Sequence, residues 1–218
     1  MKEVATGVWQ LALTPRDGVN AYLLGDVLVD SGYSLHAKKL LRMLHGRELS
    51  AHALTHAHVD HVGSSKRLAV ELGVEVWAGA DDVAAVESGE PVVAAVFARG
   101  LLKAYGRFKG VPVGRALQEG DDVAGFRVLD TPGHSPGHVS FWRESDRTLV
   151  CGDVFFNMHL VTTVPGLHHP PNVFTPDPER NRASQRKLAE LEPELVLVGH
   201  GPPLRGAGPK LRAFVASA

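Results

Sequence analysis

Apolar positions along this chain fall in short runs broken by glycine and charged turns, and stretches of period two alternate with stretches of period 3.6. Val8 to Leu13, Ala21 to Leu24 and Val27 to Asp30 read as strands, with Gly25-Asp26 as a hairpin turn and Asp30-Ser31-Gly32 closing the unit. Leu35, Leu40, Leu41 and Leu44, interleaved with Lys38, Lys39 and Arg42, predict an amphipathic helix ended by Gly46. A brief apolar run, Ala51 to Thr55, precedes a helix over Ser64 to Leu72 that stops at Gly73. Val74 to Trp77 follows as a strand and Ala80 to Glu87 as a helix.

The second half repeats the rhythm. Phe126 to Thr131, Val139 to Arg143, Thr148 to Cys151 and Leu195 to Val198 predict strands, Asp177 to Leu191 a charged helix, and Leu211 to Val215 a short closing one. Two stretches resist this pattern. The segment 91–114 is apolar and helix-prone with basic punctuation. Arg99, Lys103 and Arg107, spaced by four, read as a solvated face or as a cap for an anion. The segment 155–175 reads as a long loop without regular structure, rich in Phe156, Met158, Leu160 and Phe174, of the kind that forms lids.

Composition narrows the class. A length of 218 residues suits one domain, 1–218, that buries roughly 70% of its unfolded surface. The net charge of −1 gives no global field for nucleic acid or an anionic membrane. No apolar run is long enough to span a bilayer, and the start lacks the apolar core of an export signal. The single cysteine, Cys151, fits a reducing compartment, so a cytoplasmic protein acting on a small molecule is expected, with a homodimer left open.

The chemistry concentrates in Thr55-His56-Ala57-His58-Val59-Asp60-His61-Val62-Gly63. His56 and His58 stand two apart, so they share a face only on extended or looping backbone, unlike the helical two-histidine motif of metalloproteases. Imidazoles and a carboxylate suit a borderline divalent ion, and one ion cannot easily take all four groups from so short a segment. Further along, His134, Asp153 and His200 each stand just past a predicted strand, as His56 does, where ligands gather in α/β architectures.

In order along the chain, the His-x-His-x-Asp-His run, Thr131-Pro132-Gly133-His134-Ser135-Pro136-Gly137-His138, Gly152-Asp153 and Gly199-His200-Gly201 resemble the metallo-β-lactamase superfamily. The resemblance implies an α/β (α+β) chain folded as a four-layer αββα sandwich. It implies that His56, His58 and His134 hold one ion, that Asp60, His61 and His200 hold a second, and that Asp153 bridges. Two divalent ions are implied, zinc foremost, with iron or manganese as alternatives. The catalytic step it implies is attack by a bridging hydroxide that Asp60 orients.

Departures from the pattern of individual branches prune the substrates. The β-lactamases of this fold lack the aspartate present here as Asp153, so β-lactam hydrolysis is not expected as the main role. The 18 residues after His200 are too few for the glutathione-binding extension of glyoxalase II. Diiron flavoprotein relatives carry Glu where His58 stands, and the added domains of the nuclease branches are not found. Lactonases share the run from Thr131 to His138. The expectation is a dinuclear hydrolase of an ester, thioester or lactone. The alternatives are a persulfide dioxygenase with one iron on His56, His134 and Asp153, and a phosphodiesterase.

Seven histidines remain. His36, His45 and His52 read as solvent-facing, on or beside a surface helix, and His138 as a support for the ligands. Cys151 reads as a small buried apolar residue. His159, His168 and His169 lie in the presumed lid and are candidates for substrate contact.

Overall fold

The structure, a computed structural model, describes residues 1–92 and 106–217. Its first half forms β1 (Lys2–Ala5), β2 (Val8–Ala12), β3 (Asn20–Leu24), β4 (Val27–Val29), α1 (Ala37–Met43), β5 (Ala51–Ala53), α2 (Val59–Val62), α3 (Ser65–Leu72), β6 (Glu75–Gly79) and α4 (Val83–Ser88). There follow β7 (Val113–Leu117), β8 (Asp122–Val123), β9 (Phe126–Asp130), β10 (Val139–Arg143), β11 (Thr148–Gly152), β12 (Phe156–Met158), β13 (Pro165–His168), α5 (Pro178–Glu190), β14 (Leu195–Val198), β15 (Leu204–Arg205) and α6 (Ala207–Ala216).

β1 to β7 pair in chain order into a seven-stranded sheet, antiparallel up to β4 and parallel from β4 to β7. A six-stranded sheet runs β15-β14-β11-β10-β9-β8, with β11 and β14 parallel. Strand alternation explains how the layers stack. Tyr22, Leu24, Val27 and Val29 point from the first sheet into a core shared with Phe126, Val128, Phe141 and Val150 of the second. Their neighbours Leu23 and Leu28 point the other way, onto Leu40 of α1, Leu44 just past its end and Leu68 of α3. On the far side, Leu129, Leu149, Cys151 and Val196 pack against Leu188 of α5 and Leu211 of α6. The order helix, sheet, sheet, helix is the expected αββα sandwich. Each fully buried Phe or Leu in it contributes roughly 1.5–3 kcal/mol.

Local chemistry sets the element ends. Asp177 accepts a hydrogen bond from the Arg180 amide, with Pro178 in the first turn, as an N-cap should. Gly73 ends α3 in the left-handed conformation.

Three expectations need correction. His52 is fully buried and His36 nearly so. The alternation of β5 turns Ala51 and Ala53 into the shared core, so His52 faces the opposite side, where Ser65 of α3 covers it. His45 is exposed as expected. The stretch 155–175 is not a structureless loop, because β12 and β13 pair in it as an antiparallel hairpin. The one-turn helix α2 inside the histidine run was not foreseen, nor were β1, β7 and β8. Of the basic row, Arg99 and Lys103 lie outside the described residues, and Arg107 pairs with Glu90 at 2.7 Å.

Candidate metal centre

The strand ends bring all seven sequence-predicted ligand candidates to one edge of the sandwich. His56 and His58 sit in the turn after β5, and Asp60 and His61 on α2. His134 lies between β9 and β10, Asp153 just past β11 and His200 just past β14. Three groups of ligand atoms lie within 4.8 Å of one another: His56, His58 and His134; Asp60, His61 and His200; and His56, His61 and Asp153. The Asp153 carboxylate stands 3.1 Å from His200 Nε2, 3.4 Å from both His61 Nε2 and His134 Nε2, and 3.9 Å from His56 Nε2. It therefore faces members of both triads.

Hydrogen bonding fixes which nitrogen each ring presents, since a neutral imidazole has one donor and one lone pair. His61 Nδ1 donates to Asp30 at 2.8 Å, and His200 Nδ1 to the Gly18 carbonyl at 2.6 Å. His134 Nδ1 meets Thr175 Oγ1, whose own proton goes to the Pro171 carbonyl. His56 Nδ1 lies 3.0 Å from Thr55 Oγ1, whose proton goes to Asp30. His58 reverses the pattern by giving Nε2 to the Val92 carbonyl. Five lone pairs are left facing inward: Nε2 of His56, His61, His134 and His200, and Nδ1 of His58.

This donor set fits divalent ions of the zinc or iron kind. Three of its atoms, His61 Nε2, His134 Nε2 and Asp153 Oδ1, are buried without a hydrogen-bond partner, which is costly unless something is ligated there. Electrostatics agrees with a cation site. Burial opposes ionisation of Asp153, yet His200 and His61 outweigh it and hold the carboxyl well below the usual carboxylate range. Burial and then neighbouring imidazoles hold His56 and His134 well below the usual range. Burial also works against protonation of His200, but Asp153 and Asp60 push it up to about 10, so a proton and a metal cation compete for its Nε2, and that lone pair is free for an ion only once the proton has left.

Supporting residues complete the frame. His138 has no lone pair to spare, because its Nε2 accepts from the Asp153 amide and its Nδ1 meets Thr131 Oγ1. It holds the loop that carries Asp153. Gly199 is required because a Cβ there would collide with Asp153 Oδ1. Asp30 accepts from both the amide and the hydroxyl of Thr55 as well as from His61. Asp82 accepts from the Ala57 amide, the Ser135 hydroxyl and the Gly137 amide, tying the first histidine turn to the loop of His134. Sequence reasoning missed both aspartates; the visible signal was Asp30 closing a strand beside Gly32.

Above these ligands opens a cavity of about 220 Å³, lined mainly by apolar groups that include Val19, Val59, Phe156, Leu160 and Phe174, with Asp60 and Asp153 at its base. The segment 155–175 thus contributes apolar side chains. Its histidines are not among the cavity's lining residues: His159 packs edge-on to His168, while His169 bonds Gln185 and leans on Phe214. Among the described residues, no helix is long and apolar enough to cross a membrane.

Comparison with known proteins bears on this geometry. The family model of the metallo-beta-lactamase superfamily matches residues 14–200. YflN of Bacillus subtilis (strain 168), named a probable metallo-hydrolase, is 32% identical over 205 residues, covering 83% of this chain and 76% of YflN. A di-iron-bound crystal structure of TTHA1623 superposes with a TM-score of 0.69 at 32% identity, covering 93% of this chain and 96% of the other. The B3 metallo-beta-lactamase BLEG-1 superposes with a TM-score of 0.72 at 27% identity, covering 92% and 95%. Other curated relatives, matched over about half of this chain, carry the name hydroxyacylglutathione hydrolase. With the fold, the motifs and the family model in agreement, the chain belongs to the metallo-beta-lactamase superfamily, whose metal-dependent hydrolases it resembles in sequence and structure.

Proposed function

We propose that this chain hydrolyses a thioester, ester or lactone with an apolar acyl portion, using two divalent metal ions. The observation that carries this reading is the Asp153 carboxylate standing between two complete triads at the base of an apolar cavity. His56, His58 and His134 would hold one ion, Asp60, His61 and His200 the other, and Asp153 both. The di-iron form of TTHA1623 supports a two-ion site and puts iron beside zinc among the candidate metals. When bound, such ions supply a water ionised near neutral pH and polarise the electrophile's oxygen.

The chain's own residues divide the remaining work. Asp153 is almost sealed, with 3% of its side chain exposed, whereas Asp60 shows 18% to the cavity. Burial opposes ionisation of Asp60 too, but the His200 contact overcomes it, so its carboxyl stays below the usual range and ionised. Asp60 can therefore accept a hydrogen bond from the attacking water and orient it. The water oxygen joins the acyl carbon, the bond to sulfur or oxygen breaks, and the leaving group departs with the electron pair and takes up the proton. Phe156, Leu160 and Phe174 hold the acyl portion and exclude bulk water.

The resemblance to BLEG-1 is answered at the same bench. Purified protein is assayed for metal content and against a thioester, a lactone, a phosphodiester, a β-lactam and glutathione persulfide. Near two metals per chain with turnover of a thioester, ester or lactone is expected. A single iron with persulfide oxidation, or turnover confined to the β-lactam or phosphodiester, would overturn the reading.

A further inference from the structure

Asn20 opens β3 and is wholly buried, although an amide side chain is more often found at the surface. Its Nδ2 donates to three main-chain carbonyls, those of Gly201 at 2.9 Å, Val198 at 3.1 Å and Asp17 at 3.2 Å. Carbonyls only accept, so they fix which end of the amide faces them. The other end, Oδ1, accepts from Gln10 Nε2 at 2.9 Å, and Gln10 is itself buried. The main chain of Asn20 adds a further tie, from its amide to the Gly199 carbonyl at 3.0 Å.

These partners bracket His200. Val198 ends β14 of the second sheet, Gly199 and Gly201 flank the ring, and Asp17 belongs to the turn before β3 of the first sheet. Gly201 in turn donates its amide to the Asp17 carbonyl at 2.8 Å. Arg16 and Asp17 both adopt left-handed backbone, with φ of 57° and 56°, which residues with a side chain avoid unless their surroundings hold them there. The two bonds to the Asp17 carbonyl supply that hold. The Gly18 carbonyl, next in the chain, then lies 2.6 Å from His200 Nδ1. The opposite nitrogen, Nε2, is left 3.1 Å from Asp153 and 3.3 Å from Asp60.

We infer that Asn20 is a positioning residue for the second ion and acts through His200. Its two amide protons lock the Asp17 turn to the His200 loop. That lock keeps the Gly18 carbonyl on Nδ1 and aims Nε2 at the ion that Asp60, His61 and Asp153 would share. Gln10 keeps the amide from turning over. The inference rests on the two-ion reading above. Tyr22 provides the contrast, because its hydroxyl has one proton and gives it to the Val198 carbonyl at 2.7 Å, holding the strand end rather than the turn.

The test sets Asn20→Asp, which keeps the shape and removes both donors, against Tyr22→Phe, which removes one buried donor nearby and controls for plain destabilisation. Both are loaded with zinc, and the dissociation constant of the more weakly held ion is measured by competition with a chelator. We expect it to rise about 10- to 100-fold in Asn20→Asp and to stay near the wild-type value in Tyr22→Phe. A second readout needs no count of ions. In zinc-loaded protein with isotope-labelled histidine rings, the proton on His200 Nδ1 should exchange slowly with water in the wild type and in Tyr22→Phe, and rapidly in Asn20→Asp. Slow exchange in Asn20→Asp, or an affinity loss no greater than that of Tyr22→Phe, overturns the proposal. A wild type that takes up one ion only would overturn the two-ion reading instead, and the exchange comparison would still decide whether Asn20 orients His200. If Asn20→Asp does not fold, Asn20→Ser, which keeps one donor, replaces it: the same shifts are expected in smaller measure, and exchange as slow as in the wild type overturns the proposal.

Discussion

The carboxylate of Asp30 lies 2.8 Å from Nδ1 of His61 and thereby aims that ring's other nitrogen at Asp153. Asp30 adopts a left-handed backbone with φ of 60°, a conformation that usually costs a non-glycine residue about 1 kcal/mol or more, yet it is almost wholly buried. The contacts with Thr55 and His61 offset that strain.

Asp30→Asn is therefore expected to weaken the second ion rather than unfold the chain. The His61 ring and the Thr55 hydroxyl share one carboxylate oxygen and the Thr55 amide uses the other, so the NH₂ of an asparagine faces a donor on one side, and either the His61 tautomer or the Thr55 turn is lost. Loss of such a partner typically costs about 10- to 100-fold in metal affinity. Elemental analysis after dialysis against limiting metal should show content falling toward one ion per chain; retention of two would refute the role.

Asp82 acts between loops rather than on one ring. Asp82→Asn leaves one of its backbone donors facing an NH₂ group in a buried site, which costs about 1–3 kcal/mol. At about 2–4 °C per kcal/mol for a chain of this size, the melting temperature should drop by about 2–12 °C. Because His56 and His134 then lose their mutual register, kcat should fall even in samples that retain two metals. An unchanged kcat at full occupancy would mean that Asp82 serves stability alone.

These two aspartates mark what the chain discloses before folding. The run from His56 to His61 is legible because its chemistry is packed into six consecutive positions, and the strands are legible because their apolar runs end at glycines. Asp30 meets Thr55 across 25 residues and Asp82 meets Gly137 across 55, so neither partnership leaves a local trace. His52 was misread for a different reason. A three-residue strand is too short to display alternation, although flanking Ala51 and Ala53 already implied that His52 faces the other side. The β12–β13 hairpin is short in the same way, and Pro165 and Gly166 disguise its second strand.

His52 supplies a pH test remote from the ligands. Its Nδ1 donates to the Leu28 carbonyl and its Nε2 meets Ser65 Oγ, while burial holds its pKa below the ordinary value and so favours the neutral ring. The unfolded chain takes up the proton near pH 6.5 and the folded chain only at lower pH, so stability from this group is present above that value and lost as pH falls through the window. His52→Gln should therefore cost more at about pH 7.5 than at about pH 5.5. Urea unfolding at both values, with chelator present throughout, measures the difference; an equal cost at both would reject the argument.

Metal removal should register in stability as well as in activity. Five imidazoles and two carboxylates converge here, three of their atoms buried without a partner. An ion present at about 1,000 times its dissociation constant contributes about 4 kcal/mol, so chelation should lower the melting temperature by about 8–16 °C per ion. A thermal scan insensitive to chelator would contradict tight binding at this cluster.

The apolar cavity makes the acyl group measurable. Each methylene that leaves water for Phe156, Leu160 and Phe174 is worth about 0.8 kcal/mol, close to a fourfold gain in kcat/KM. A series of thioesters with lengthening straight acyl chains should climb at about that rate, then level off when the cavity of about 220 Å³ is full. Leu160 and Phe174 are 40% and 37% exposed, so Leu160→Ser and Phe174→Ser should spare the fold while flattening the climb. The distinction between KM and kcat matters, because lining that only binds the acyl chain acts through KM, whereas lining that excludes water from the reacting carbon also lowers kcat when removed. A wild-type series with no dependence on chain length would show that the acyl portion lies elsewhere.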